Sequence, residues 1–205
     1  RIGALLADTY GEAWATGDSG DRLRERLREI KQRYLNREAV EYDSLTAHSY
    51  AVYHLPDYYA VAKYALADLA ADGLLPGQLR VLDVGAGVGG PALALADLAE
   101  AADDALLDYH AVEPSAAADV FESLVTAEDG ARRVSVHRET AEAFDLHTEV
   151  GADGPFDLIL FGNVLNELDD PVAVLRRYLD ALAEDGTVLA LAPADRNTAI
   201  GLRKI

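Results

Sequence analysis

The spacing of apolar residues divides the chain into a helical first part and an alternating second part. In the first part, apolar residues recur at every third or fourth position with charged residues between them, most clearly at Leu23, Leu27 and Ile30, as on one face of a helix. Helices are predicted over residues 2–15, 21–36 and about 58–71. We therefore expect residues 1–75 to form a helical N-terminal extension that acts as a lid.

The second part, from Leu79 onward, alternates short apolar runs with amphipathic segments, which predicts a mostly parallel sheet with helices on both faces. Strands are predicted over residues 79–84, 107–113, 133–137, 156–161 and 186–193, and helices over 90–101, 115–127 and 170–184. The last helix is expected to begin with Pro171 in its first turn and to stop at Gly186. Residues 76–205 are therefore predicted to form an α/β domain with a Rossmann-like, doubly wound sheet.

One turn of this domain has the spacing of a nucleotide-binding site. The stretch "RVLDVGAGVGGPALAL" runs from a predicted strand into a predicted helix, and Gly85, Gly87 and Gly90 match the pattern G-x-G-x-x-G. A doubly wound sheet binds its ligand at the carboxyl ends of the strands, where glycines allow a tight turn and helix amides donate to an anionic group. The alternative is that the glycines only let the helix and the strand pack closely.

Two acidic residues narrow the choice of ligand. Asp83 lies two residues before Gly85, where its carboxylate would repel a pyrophosphate but attract the ammonium and sulfonium groups of S-adenosylmethionine. Glu113 ends the second predicted strand, where a carboxylate can accept both ribose hydroxyls of S-adenosylmethionine or of NAD. Its alternative interpretation is a solvated charge at a strand end.

Four segments together resemble the ordered motifs of the class I S-adenosylmethionine-dependent methyltransferases. They are "VLDVGAGVGG", "HAVEPS", "FDLILFGNVLNEL" and "GTVLALAPA". The resemblance implies the Rossmann-like fold, S-adenosylmethionine as cofactor, and a set of cofactor-binding positions. In this sequence those positions are Asp83, Gly85, Ala86, Gly87, Glu113, Pro114, Thr140, Ala141 and Asn163. The family's fold has a further helix and strand pair after the fifth strand, and since only eleven residues follow Ala194, we expect those C-terminal strands to be missing.

A narrower resemblance concerns the flanks of these motifs. The segments "SYAVYHLPDYYAVAKYAL", "NVLNEL" and "APADRNTAIGLRKI" are similar to a methyltransferase-like family associated with the small ribosomal subunit. This resemblance implies ribosomal RNA or a ribosomal protein as acceptor or partner. That family usually continues into cysteine-bearing segments that bind an iron–sulfur cluster, whereas this chain contains no cysteine. We therefore expect either a chain that stops short or a branch without the cluster.

The acceptor side of the site is predicted from residues beyond the fourth strand and in the helical extension. Methyl transfer is an in-line displacement in which the protein mainly positions, desolvates and sometimes deprotonates the acceptor. The candidates for catalysis are Asn166 and Glu167, and those for substrate contact are Tyr50, Tyr53, His54, Arg24 and Arg28. Each has a structural alternative, because Asn can hydrogen-bond the backbone at turns, aromatic residues can be core, and arginines can form a solvated helix face.

Composition restricts both the chemistry and the setting. The chain has 36 acidic and 18 basic residues among 205, a formal charge of −18, which is typical of proteins from salt-loving cells because concentrated salt screens self-repulsion. The lack of cysteine excludes thiol catalysis and thiolate metal sites. The five histidines show no tight ligand spacing, so no metal site is expected. Neither a membrane span nor a secretory signal is visible, which favours a cytoplasmic protein with no membrane partner.

Three functions follow from these observations. The preferred one is a cytoplasmic S-adenosylmethionine-dependent methyltransferase that acts on ribosomal RNA or on a ribosomal protein of the small subunit. The second is a non-catalytic, methyltransferase-like assembly factor that binds the small subunit. The third, which Asp83 and the fourth-strand motif disfavour, is a nicotinamide-dependent dehydrogenase. The usual amino-base methylation motif is replaced by "NVLN" at residues 163–166, which weakens the prediction of exocyclic-amine chemistry.

Overall fold

Five parallel strands form the sheet at the centre of the computed structural model, which describes residues 1–36, 38, 40–102, 106–125 and 132–192. The strands are β1 (Gln78–Val84), β2 (Leu106–Val112), β3 (Arg132–His137), β4 (Phe156–Gly162) and β5 (Leu182–Leu191). The helices are α1 (Ile2–Tyr10), α2 (Gly17–Asn36), α3 (Ser44–Tyr53), α4 (Leu55–Ala71), α5 (Gly90–Ala101), α6 (Ala117–Val125), α7 (Leu146–Asp153) and α8 (Pro171–Leu179). The strand order β3-β2-β1-β4-β5 reverses direction between β1 and β4, as in a doubly wound sheet, and confirms the predicted Rossmann-like fold.

Apolar side chains alternate between the two faces of the sheet. On one face, residues such as Val81 and Leu158 pack in a cluster that includes α5 and α6, with Phe121 fully buried. On the other face, Leu82 and Phe161 pack in a cluster that includes α7 and α8. Because both faces are covered, β1 and β4 are buried along nearly their whole length, which is the pattern of a parallel sheet.

The N-terminal helices share the core of the sheet. Ala47 of α3 and Leu66 of α4 belong to the same buried cluster as Val81, and a Cβ on Gly90 would lie only 3.2 Å from the Tyr58 Cβ. The first turns of α4 and α5 therefore pack in close contact, next to the turn that follows β1. The predicted division between a helical extension, residues 1–75, and an α/β domain, residues 76–205, stays a prediction. Among the described residues, none of the helices combines the length and apolar character needed to cross a bilayer.

Helix boundaries in the extension differ from the predicted ones. The first helix ends at Tyr10 instead of residue 15, because Gly11 leaves the helical conformation with φ of 85°. The second begins four residues earlier than predicted, at Gly17. The helix predicted at about residue 58 begins at Leu55, because Pro56 lies in its first turn, where a missing N–H has no cost.

Two helices were not predicted because neither has a continuous apolar stripe. The buried residues of α3 are Thr46, Ala47, His48, Ser49 and Ala51. This helix begins after Asp43, whose side chain accepts a hydrogen bond from the Thr46 N–H at 2.7 Å, an N-cap that stabilises the first turn. Asp145 accepts hydrogen bonds from the N–H groups of His147 and Thr148 at the start of α7. Local capping therefore defines both helices.

The predicted end of the last helix was wrong. Helix α8 ends at Leu179, and β5 begins at Leu182, before Gly186. Phe156 of β4 pairs with Leu182 of β5, but the next paired residue, Leu158, pairs with Thr187. Residues 183–186 of β5 therefore include extra residues, which form an irregularity of the strand pairing. The segment "EDG" lies in this irregularity instead of at a helix end. Residues 126–127 of the helix predicted over 115–127, and residues 193–205 with their part of the last motifs, lie outside the described residues.

A substitution at Gly89 tests how closely the turn before α5 packs against α6. Its φ is 92°, and a Cβ would lie 2.7 Å from Val125 Cγ2. We expect Gly89→Ala to lower the free energy of unfolding by about 2 to 5 kcal/mol, from backbone strain plus overpacking. Gly73 has a φ of 75° with no atom within 4 Å of its Cβ position, so Gly73→Ala is the control and should cost about 1 to 2 kcal/mol from strain alone. Equal losses in urea titrations would contradict this packing.

Candidate functional site

A cavity of about 600 Å³ opens at the carboxyl ends of β1, β2 and β4. Its walls come from the turn after β1, the end of β2, the loop after β3, the end of β4 and the first turn of α4. The nine residues predicted to bind the cofactor all line it: Asp83, Gly85, Ala86, Gly87, Glu113, Pro114, Thr140, Ala141 and Asn163. The cavity lies where the strand order reverses, which is the usual ligand position in such sheets.

The glycine turn is fastened to the end of β2. The N–H groups of Gly85 and Ala86 both donate to the Val112 carbonyl oxygen, at 2.9 and 3.2 Å. A Cβ on Gly85 would lie 2.6 Å from Val164, whereas the Cβ position of Gly87, with φ of 54°, has no atom within 4 Å. Close packing therefore accounts for Gly85, and Gly87 leaves open space that a ligand can use.

Asp83 is fully buried at the cavity wall. Its Oδ2 accepts a hydrogen bond from the Tyr109 hydroxyl at 2.5 Å, while its buried Oδ1 has no hydrogen-bond partner. Burial raises the pKa of this carboxyl to about 7, with a further contribution from nearby Glu113 and an opposing one from the Tyr109 hydrogen bond. A buried carboxylate with an unused oxygen is costly, so a cationic group at Oδ1 would be stabilising.

Glu113 holds the glycine turn in place. Its Oε2 accepts a hydrogen bond from the Gly87 N–H at 2.9 Å, and its Oε1 accepts from the N–H and hydroxyl of Ser115 at 3.0 and 2.6 Å. The side chain is buried, so the alternative of a solvated charge was wrong. A carboxylate has about four acceptor positions, and three are occupied. Glu113 can therefore accept one more hydrogen bond without losing an existing one. The sequence had predicted two, from both ribose hydroxyls.

The two remaining walls are fixed through their backbones. In the loop after β3, the Ala141 carbonyl oxygen accepts hydrogen bonds from the Tyr178 hydroxyl at 2.9 Å and from Arg177. At the end of β4, Asn163 adopts a φ of 60°, and its N–H donates to the Leu191 carbonyl oxygen at 2.8 Å. Asn tolerates this left-handed conformation better than most residues. Hydrogen bonds therefore hold both segments at the border of the cavity.

The residues predicted on the acceptor side are only partly brought to the cavity. Tyr50 and Glu167 line it, whereas Asn166, Tyr53, His54, Arg24 and Arg28 do not. Tyr53 is 60% exposed. Arg24 pairs with Asp21 at 2.6 Å on the exposed side of α2. His54 packs against the rings of Tyr50 and Tyr58, at centroid distances of 4.4 and 5.6 Å, so it supports the cavity wall from behind.

Four residues of the extension line the cavity without having been predicted as substrate contacts: Tyr42, Asp57, Tyr58 and Val61. The Tyr42 hydroxyl lies 2.5 Å from that of Tyr34, and the Tyr50 hydroxyl lies 3.1 Å from that of Tyr58. Burial raises the pKa of both Tyr42 and Tyr50, so both hydroxyls remain protonated. The density of tyrosines in this segment was the available signal, but choosing among them required the unpredicted helix α3.

Every charged side chain that lines the cavity, among the described residues, is acidic. They are Asp57, Asp83, Glu113, Glu142 and Glu167. Burial in the cavity raises the pKa of Glu167, and the nearby Glu113 raises it further. Such a wall attracts cations and repels phosphates. It suits a ligand whose polar groups are ammonium, sulfonium or neutral.

Known proteins share a family model and a fold with this chain. A family model described as a methyltransferase domain matches residues 82–188. The chain resembles the structure of a protein from Methanococcus maripaludis assigned as an S-adenosyl-L-methionine-dependent methyltransferase, with a TM-score of 0.54 and 16% identity over 82% of this chain and 74% of that one. It also resembles the plantazolicin methyltransferase BpumL in complex with SAH and a desmethyl-plantazolicin analogue, with a TM-score of 0.52 and 16% identity over 100% of this chain and 63% of that one.

These structural likenesses show a shared fold, and this chain spans less than two thirds of the length of BpumL. No protein of curated function matches the sequence.

The buried carboxyl of Asp83 is expected to make stability depend on pH. Its pKa of about 7 in the folded chain lies above the value of about 3.9 for an unfolded chain. Between these values the folded chain binds more protons, so this contribution to the free energy of unfolding is complete below the lower value and is lost as pH rises through the upper one. Asp83→Asn should remove the dependence.

In urea titrations from pH 4 to pH 8, the stability of Asp83→Asn relative to the natural chain should rise by about 2 to 4 kcal/mol. Asp169→Asn, at an exposed position, is the control. A difference for Asp83→Asn that stays constant with pH would contradict the raised pKa.

Proposed function

Because the chain belongs to the methyltransferase domain family, we propose that it binds S-adenosylmethionine in the cavity beside Asp83 and transfers the methyl group to an acceptor. The observation that carries this proposal is the buried, unpartnered Oδ1 of Asp83 at the cavity wall. A cationic amino group would donate a charge-assisted hydrogen bond to this oxygen in a poorly solvated place. A pyrophosphate would meet Asp83 and Glu113 instead, which disfavours NAD.

The residues of the cavity fit the parts of this cofactor. Asp83 would accept from the amino group through Oδ1, and Glu113 would accept one ribose hydroxyl through the free position on Oε2. Thr140 and Ala141 would border the adenine, and Asn163 the methionine moiety. When bound, S-adenosylmethionine supplies both the electrophilic methyl group and its own leaving group.

The acceptor would approach from the side formed by the extension. Tyr42, Tyr50 and Tyr58 line this side, and their rings shield part of the cavity from water, which strengthens electrostatic interactions inside it. Glu167 lies here, and its raised pKa makes its carboxylate a better proton acceptor. We propose that Glu167 accepts a proton from the acceptor as the methyl group is transferred.

Calorimetric titration tests the cofactor site. We expect the chain to bind S-adenosylmethionine but not NAD, and Asp83→Asn and Glu113→Gln each to weaken binding by about 10- to 100-fold, as loss of a hydrogen bond to a charged group would. Glu100→Gln, at an exposed position of α5, is the control and should bind as the natural chain does. Unchanged affinity in both site variants would contradict the assignment of these residues.

We further propose that the acceptor is ribosomal RNA or a ribosomal protein of the small subunit, supported by the similarity of the flanking segments. Since the described cavity residues include no basic side chain, phosphates would have to bind elsewhere. The exposed Arg24 and Arg28 of α2 are the candidate positions.

Incubation with small-subunit particles and labelled S-adenosylmethionine tests this proposal. We expect label in the particles, and we expect Arg24→Glu with Arg28→Glu to reduce RNA retention. Arg138→Glu with Arg176→Glu, also exposed, changes the charge equally and should not. Particle binding without label in any RNA, protein or metabolite pool would indicate the non-catalytic assembly factor. Neither binding nor label would contradict a ribosomal role.

The acidic composition supports a third proposal, that the protein works in the cytoplasm of a salt-accumulating cell. With 36 acidic residues against 18 basic ones, self-repulsion opposes folding unless salt screens it. The free energy of unfolding should therefore rise with potassium chloride concentration. A flat or falling dependence would count against this setting.

A further inference from the structure

Two histidines and a glutamate from three separate elements meet on the sheet face beneath α7. The His110 Nδ1, at β2, lies 3.1 Å from the His137 Nε2, at the end of β3, and 3.5 Å from the Glu149 Oε2 of α7. One ligand atom from each residue lies within 4.8 Å of the others. None of the three lines the cavity described above, so the cluster is separate from the cofactor site.

The other nitrogen of His110 is held by a carboxylate. His110 Nε2 lies 3.3 Å from Asp108, which also accepts hydrogen bonds from Arg133 at 2.7 and 2.8 Å and from Arg80 at 3.1 Å. Because two arginines donate to Asp108, its carboxylate is placed to accept the Nε2 proton of His110. The Nδ1 lone pair of His110 is then directed at the cluster.

In metal sites, a histidine ligand commonly donates its other ring N–H to a carboxylate, which fixes the tautomer and the orientation of the ring. Asp108 and His110 have this arrangement. The alternative is that hydrogen bonds alone, without a bound ion, hold these three side chains together. The two imidazole rings are nearly parallel, at 8°, which also suits donation from His137 Nε2–H to His110 Nδ1. His137 Nδ1, 4.0 Å from Glu149 Oε1, would then carry no proton in the neutral ring and would face a carboxylate.

We propose that His110, His137 and Glu149 bind one Zn²⁺ or a similar divalent transition-metal ion, with water in the fourth position. Two imidazole nitrogens and one carboxylate suit Zn²⁺ and exclude Mg²⁺ and Ca²⁺, which take oxygen ligands. Tetrahedral Zn²⁺ with bonds of about 2.1 Å separates its ligand atoms by about 3.4 Å, close to the 3.1 and 3.5 Å between His110 and its two partners.

The ion would connect β2, β3 and α7 behind the cofactor site. The His137 carbonyl oxygen accepts a hydrogen bond from the Glu113 N–H at 2.9 Å, and the His137 ring contacts Phe144 at a centroid distance of 4.8 Å. The ion's expected role is therefore to stabilise the fold. No metal site was expected from the sequence, because the histidines show no tight spacing along the chain. His110 and His137 are 27 residues apart, so the spacing rule could not detect this cluster.

The test uses the whole chain, stripped of metal with a chelator and dialysed. Calorimetry with Zn²⁺ should show one ion bound per chain, and zinc should raise the thermal unfolding midpoint. His137→Gln and Glu149→Gln should each weaken binding by at least about tenfold, since even loss of an outer partner weakens metal sites by about 10- to 100-fold. His147→Gln, at an exposed position of the same helix, is the matched control and should bind as the natural chain does.

A measurement on the natural chain keeps the test independent of how the variants fold. Co²⁺ added to the stripped protein should give the visible absorption bands of a nitrogen-ligated tetrahedral ion, and zinc should abolish them. Absence of these bands, absence of zinc binding, or equal binding by the natural chain and folded His137→Gln would overturn the proposal in favour of hydrogen bonds alone.

Discussion

The burial of the Asp83 carboxyl at the end of β1 is the constraint on which the rest of the site depends. The chain places a titratable group with no exposed surface beside a second carboxylate, Glu113, and satisfies only one of its two oxygens through Tyr109. Glu113 in turn accepts a hydrogen bond from the Gly87 N–H, so one carboxylate contributes both to the conformation of the glycine turn and to the charge of the cavity. Such an arrangement is costly without a cation and favourable with one, which is why the cavity suits the cationic end of S-adenosylmethionine.

The parts of the structure that could be predicted from sequence are those set by local geometry. The strand, the glycine turn and the helix that follow one another around Gly85 were predicted from local sequence, and all nine positions predicted to bind the cofactor border one cavity. The acceptor side could not be predicted in the same way. It depends on how α3 packs against α4 and α4 against α5, and α3 has no apolar stripe to reveal it. Tyr42 and Tyr58 therefore reach the cavity, while Tyr53 and Arg24 lie outside it, although nothing in their sequence spacing separates them.

The two proposed sites are separate, but a backbone hydrogen bond connects them at the carboxyl end of β2. The backbone of Glu113 pairs with His137, so the residue that shapes the glycine turn on one side is joined to the histidine cluster on the other. An ion among His110, His137 and Glu149 would stiffen this junction without contacting the cofactor. The cluster was invisible to spacing rules because its members lie on β2, β3 and α7 and meet only after the sheet has formed.

The number of protons released when S-adenosylmethionine binds tests the central claim most directly. At pH 6 the carboxyl of Asp83, with a pKa of about 7, is mostly protonated in the free chain, and a cation at Oδ1 should ionise it. Calorimetry in buffers of different ionisation enthalpy should then show release approaching one proton per cofactor, a release that is absent in Asp83→Asn. Binding with no proton release, or with the same release in both proteins, would contradict the assignment of Asp83 as the group that receives the cation.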